Sequence, residues 1–224
     1  MNNFPIPLPI IVVAAVVVLV AAVLIISWYM EKKRTEAFAR LADSLNFEFL
    51  PKGDVALLND LRTFHLFGLG HSRLMKNLLR GSAQGLEIGI FDYRYIVGYG
   101  KHQQTFQQLV FVASARDMNL AKFSMRPESF WHKVSSLLGF KDIVFDSHPG
   151  FSKKYLLKGP DETAIRELFT PEVLDYFEET RGRNVEGEGD LLIYYRYSRL
   201  KPEQIRDFMG EGFEVLNIFR TPAE

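Results

Sequence analysis

One run of residues limits what this chain can be. From Ile10 to Met30 it reads IIVVAAVVVLVAAVLIISWYM, 21 residues in which Ser27 is the one conventional polar side chain. Coiled as a helix with a rise of about 1.5 Å per residue, the run is about 31 Å long, which matches the hydrocarbon core of a bilayer. Trp28 and Tyr29 close it where an interfacial aromatic belt sits. Phe4, Pro5, Pro7 and Pro9 precede it, and Glu31, Lys32, Lys33 and Arg34 follow directly. The pattern predicts a transmembrane helix and assigns residues 1–30 as an anchor, with Ile10, Leu19 and Ile26 in its apolar body and Trp28 and Tyr29 at its rim. A cleaved signal peptide would bring a basic leader, a shorter apolar stretch and a small-residue cleavage site. A soluble core helix would not stay featureless over such a length in a domain of this size. Lys32, Lys33, Arg34 and Arg40 lie after the span, while the first nine residues carry no charge beyond the terminal amine. Basic flanks stay in the cytoplasm, so a single-pass protein with a cytoplasmic C-terminal part is expected.

The same run divides the chain by charge. All 27 basic and 27 acidic side chains lie beyond Met30, and they balance to a net charge of zero. With no long basic stretch there is no electrostatic footprint for a nucleic-acid backbone, and no nucleic-acid partner is expected. Cysteine is absent, which excludes a disulfide framework, a thiolate metal site and a Cys nucleophile.

Beyond the anchor, Phe38, Leu41, Ala42 and Leu45 share one helical face, so residues 31–46 read as an amphipathic stalk that stops at Asn46. Residues 47–224 then form a soluble α+β domain. Its clearest signal is LEIGIFDYRYIVGYGKHQQTFQQLVFVAS, residues 86–114, two β-rich runs around a Gly-containing turn. Along the first run Leu86, Ile88, Ile90, Asp92, Arg94 and Ile96 share one face, and Phe91, Tyr93, Tyr95 and Val97 the other. Large side chains on both faces predict a central strand. Further strands are expected at 47–50, 74–80, 123–126, 142–145, 154–158 and 191–197. Helices are expected from Asp54, from Pro127 through Leu138, from Asp161, from Pro171 and from Pro202. Gly210 and Gly212 weaken the last helix and point to close packing, and Arg181 to Asp190 reads as a charged, Gly-rich loop. Tight hairpins imply antiparallel pairing, so the fold class is α+β, a mainly antiparallel sheet packed with helices behind one N-terminal transmembrane helix.

FDYRY (Phe91 to Tyr95) with its hairpin, HPGFSKKYLLKGPDE (His148 to Glu162) and VEGEGDLLIYYR (Val185 to Arg196) carry a resemblance. With these motifs the chain resembles a group of uncharacterised bacterial proteins that have one N-terminal membrane helix and a soluble domain of unknown function. The resemblance implies a bacterial protein anchored in the inner (plasma) membrane and adds no chemistry.

Catalytic signatures are missing. Gly98-Tyr99-Gly100-Lys101 lacks the spacing of a phosphate loop and is followed by a strand, so it reads as a hairpin turn. The five histidines form no HExxH or other compact ligand pair, and there is no GxSxG elbow or SxxK pair. No metal and no cofactor are expected. Asp92 and Arg94 interrupt the apolar face of the central strand, and buried charges must be paired. Pairing with each other or with neighbouring strands is the structural reading, and anion binding by Arg94 the functional one. His148 and Phe151 mark an expected loop with an exposed aromatic beside Lys153 and Lys154. The leading expectation is a membrane-anchored, non-enzymatic binding or scaffold module. Its partners are the lipid bilayer and a protein near the cytoplasmic membrane surface. A small-ligand sensor or enzyme around Asp92 and Arg94 is the alternative, and lipid headgroup binding through Lys32, Lys33 and Arg34 is a third reading.

Overall fold

The computed structural model describes residues 7–83, 85–128 and 139–220. Helix α1 (Leu8–Leu45) runs unbroken through the apolar segment and the expected stalk. Valine and isoleucine are indifferent helix formers in water, but a segment surrounded by lipid satisfies its own backbone groups by coiling. The helix is long and apolar enough to cross a membrane, and its most apolar stretch buries nothing against the rest of the chain. Burial begins at Arg34 and continues at Phe38 and Ala42, one helical turn apart. Asn46, with φ 54°, ends the helix as a left-handed cap whose N–H reaches Ala42 and Asp43.

Eight strands follow among the described residues: β1 (Glu48–Leu50), β2 (His71–Ala83), β3 (Leu86–Val97), β4 (Gln104–Ala115), β5 (Leu120–Pro127), β6 (Tyr155–Lys158), β7 (Asn184–Gly189) and β8 (Leu191–Tyr195). They form one sheet in the order β1-β2-β3-β4-β8-β7-β5-β6, antiparallel at every pairing. The fold is thus α+β, as expected. Strand β3 is central, paired to β2 and β4 along its whole length. Its alternation builds two cores. Leu86, Ile88 and Ile90 enter the first, with Phe38 and Ala42 of α1. Phe91, Tyr93 and Tyr95 enter the second.

On the first face lie α1, α4 (Pro149–Lys154), α5 (Glu162–Leu168), α6 (Pro171–Glu179) and α7 (Ile205–Arg220). The second face is covered by the segment holding α2 (Val55–Asp60) and the short α3 (His65–Gly68), through Leu61, Phe64, Leu66 and Phe67. Asp54 caps α2 by accepting from the N–H groups of Ala56 and Leu57. Of the two glycines in α7, Gly212 is the one that close packing requires. A Cβ there would stand 2.5 Å from the Phe111 ring, whereas Gly210 faces open space.

Several expectations need correction. Within the 181–190 stretch, Asn184–Gly189 form strand β7, because Val185 packs into the first core and Gly187 leaves room for the Phe123 ring. Residues 142–145 join no ladder. Asp142 instead accepts the Leu157 N–H through its side chain, and Ile143 donates to the Leu157 carbonyl. The expected loop at 148–152 is the start of α4. Most of the helix expected from Pro127 through Leu138 lies outside the described residues.

Candidate functional site

The site grows from the place where α1 meets the sheet. Asp92 on β3 faces α1, and its two carboxylate oxygens receive Arg34 in a fork, Nε to Oδ2 at 2.7 Å and Nη2 to Oδ1 at 2.5 Å. Asn77 on β2 adds a third bond to Oδ2 at 2.9 Å. The remaining arm of Arg34 donates to the Leu200 carbonyl at 2.5 Å. The side chains of Arg34 and Asp92 are 5% and 14% exposed, so each charge is withdrawn from water and held by the other. A planar guanidinium suits this two-pronged arrangement, and lysine could not reproduce it.

Beside this pair opens a cleft of about 230 Å³, walled by Glu31 of α1, Leu74 and Lys76 of β2, Asp92 and Arg94 of β3, Gln107 of β4 and Arg199. The register explains the company: Lys76 lies opposite Asp92, Leu74 opposite Arg94, and Arg94 opposite Gln107. Arg199 is engaged by Glu31, with Nη1 2.5 Å from Oε1 and Nη2 2.8 Å from Oε2. Arg94 and Lys76 are exposed and form no ion pair among the described residues. Sequence position puts Glu31 one residue beyond the apolar run, next to the ring pair Trp28 and Tyr29. There Lys32 lies 5.5 Å from the centre of the Trp28 ring and Lys33 4.8 Å from that of Tyr29. Glu31 and Arg199 also line a wider groove of about 670 Å³ along α1, with Lys33, Arg40 and Leu200.

Asp92 and Arg94 therefore share a cleft without pairing to each other. Of the expected flanking set, Lys32 and Lys33 are exposed, but Arg34 is buried as the partner of Asp92. His148 and Phe151 lie away from this cleft, next to the opposite edge strand β6. The Nε2 of His148 is 3.3 Å from Asp175. Phe151, expected to be exposed, is fully buried among Phe145, Tyr155 and Phe169, because α4 turns it inward.

A second polar cluster, not anticipated from the sequence, sits on the other face. Glu186 of β7 is buried and accepts from the backbone N–H of His65 (2.6 Å), that of Leu66 (3.1 Å) and the Tyr195 hydroxyl (2.9 Å). Arg126 lies 2.7 Å from His65 Nε2. Burial, reinforced by Arg126, depresses the His65 imidazole to about 4, so it stands neutral and accepts from the guanidinium. Burial likewise pushes the Glu186 carboxyl up. The alternation VEGEG, with Glu186 opposite Ile193, was the available signal. Among the described residues no three His, Asp or Glu side chains gather as a metal ion would need.

No protein-family model matches the chain, and no curated protein sequence does. Among solved structures, the crystal structure of the mycobacterial trehalose monomycolate transport factor A, TtfA, is similar to it. The TM-score is 0.56, with 11% sequence identity over 85% of this chain and 92% of that one. At that identity the likeness concerns the fold alone.

Proposed function

We propose that the chain is a membrane-anchored, non-enzymatic binding module that acts on a protein partner at the cytoplasmic surface of a bacterial inner membrane. The observation that carries this reading is the junction between anchor and sheet. One helix continues from the apolar run into the first core, and the Arg34–Asp92 fork holds it there. A domain held this way presents a fixed side to anything else in the same membrane, and confinement raises its effective concentration for such partners. A protein of the same fold is a transport factor, which agrees with a binding role. The saturated Asp92 carboxylate counts against its use as a general base.

In-cell crosslinking of the full chain, followed by mass spectrometry and compared with a form lacking residues 1–30, tests the reading. A defined protein captured by the anchored form and lost from the truncated one is the expected result. Equal capture by both forms would show that anchoring plays no part, and no reproducible capture would leave the module without a protein partner.

A further inference from the structure

We propose that the cleft between α1, β2 and β3 is a binding site for the phosphate of one anionic phospholipid, taken from the membrane in which α1 sits. The proposal rests on the membrane-anchored reading of α1 and not on any protein partner.

Charge in the cleft favours an anion. The cleft and its wall hold Arg34, Lys76, Arg94 and Arg199 against Glu31 and Asp92. Arg34 is consumed by Asp92 and Arg199 by Glu31, which leaves Lys76 and Arg94 as two cations without an ion-pair partner among the described residues. They stand on one face of neighbouring strands, because Lys76 is opposite Asp92 and Arg94 is two residues further along the same strand. Gln107, opposite Arg94, adds an exposed amide to the same wall. A forked guanidinium beside a point-charge ammonium is a donor set that suits a phosphate.

The depth of the cleft favours a lipid as the source of that anion. Glu31 lines the cleft and follows directly on the apolar run, and a helix advances about 1.5 Å per residue. The cleft mouth thus lies at headgroup level when the run fills the hydrocarbon core. A lipid could place its phosphate against Lys76 and Arg94 with its chains still beside α1, where Met30 and Ile26 are exposed. A cleft of about 230 Å³ fits a headgroup and is too small for a whole lipid. This differs from diffuse attraction by Lys32 and Lys33, which lie over the Trp28 and Tyr29 rings.

The full chain is reconstituted in vesicles of phosphatidylcholine with a minority of phosphatidylglycerol, extracted into neutral detergent, and its retained lipids are counted by mass spectrometry. Diffuse surface attraction disappears with the membrane, whereas a lipid held in the cleft persists. One phosphatidylglycerol per chain is expected, in preference to phosphatidylcholine. In K76Q/R94Q its retention is expected to fall about tenfold, equivalent to about 1.4 kcal/mol. Q107E removes no cation but sets a carboxylate opposite Arg94, and a similar fall is expected. K32Q/K33Q should retain the lipid. Unchanged retention in K76Q/R94Q, or an equal fall in K32Q/K33Q, overturns the site. A phosphorus NMR titration with inorganic phosphate in phosphatidylcholine vesicles separates the two sources. Saturable binding there that K76Q/R94Q abolishes, with no lipid retained by the wild type, would replace the lipid by a soluble anion. Co-flotation with phosphatidylcholine vesicles scores the anchor itself, so loss of insertion reads differently from loss of the headgroup.

Discussion

Arg34 follows the apolar run closely in sequence, and its guanidinium is buried against Asp92. Its position after the apolar run marks it as a flanking charge, and no local pattern links it to Asp92, which lies 58 positions away. The sequence does state that Asp92 needs a partner, since it interrupts an apolar strand face. It does not say which cation supplies one, because that depends on how α1 crosses the sheet. Replacing one member of a buried pair leaves the other charge stranded, so R34Q or D92N should each destabilise the domain by about 3–5 kcal/mol. The double variant R34Q/D92N should recover part of that loss, since two neutral amides can still hydrogen-bond. Denaturant unfolding of the four forms in detergent checks this, and strict additivity of the two losses would show that the pair is not coupled.

Elements with a strong local pattern were legible. The β3–β4 hairpin, the Asp54 and Asp161 caps and the Asn46 stop are all present. Strand β7 was not, because glycine and glutamate disfavour strands locally, and here Gly187 and Glu186 are accepted for tertiary reasons: a Phe123 ring on one side and the N–H groups of His65 and Leu66 on the other. That contact clasps the segment holding α3 to the sheet, and it should respond to acid. Above the ordinary value of 6.5, His65 is neutral both folded and unfolded. Between 6.5 and about 4 the unfolded chain takes up a proton that the folded one refuses, so stability falls as pH drops through this window. Glu186 acts in the opposite direction. Its raised carboxyl holds a proton longer in the folded chain, and its contribution fades as pH rises above 4.5. Across the His65 window the urea midpoint should therefore fall less on acidification, or even rise, in H65Q compared with the wild type, and parallel profiles would exclude the imidazole as the source.

At the scale of the whole molecule, α1 runs past residue 30 without a break, begins to pack at Arg34 and ends at the Asn46 cap. A fragment starting at Glu31 keeps Arg34, Phe38 and Ala42, and it should fold with native-like cooperativity. One starting at Phe47 strips Phe38 and Ala42 from the first core and leaves Asp92 without its cation, a combined loss of more than about 5 kcal/mol. Such a loss is comparable to the total stability of a domain, so circular dichroism of this fragment should show a largely unfolded chain. The unbroken α1 also has a mechanical meaning. A rod clamped at one end to a sheet is a lever, and on the membrane-anchored reading a mismatch between its apolar run and the bilayer around the other end changes its tilt. Edge strands of an eight-stranded sheet are about 34 Å apart, so a tilt of about 20° swings one edge relative to the other by roughly 12 Å. Bilayer thickness would thereby govern which strands come within reach of a neighbour.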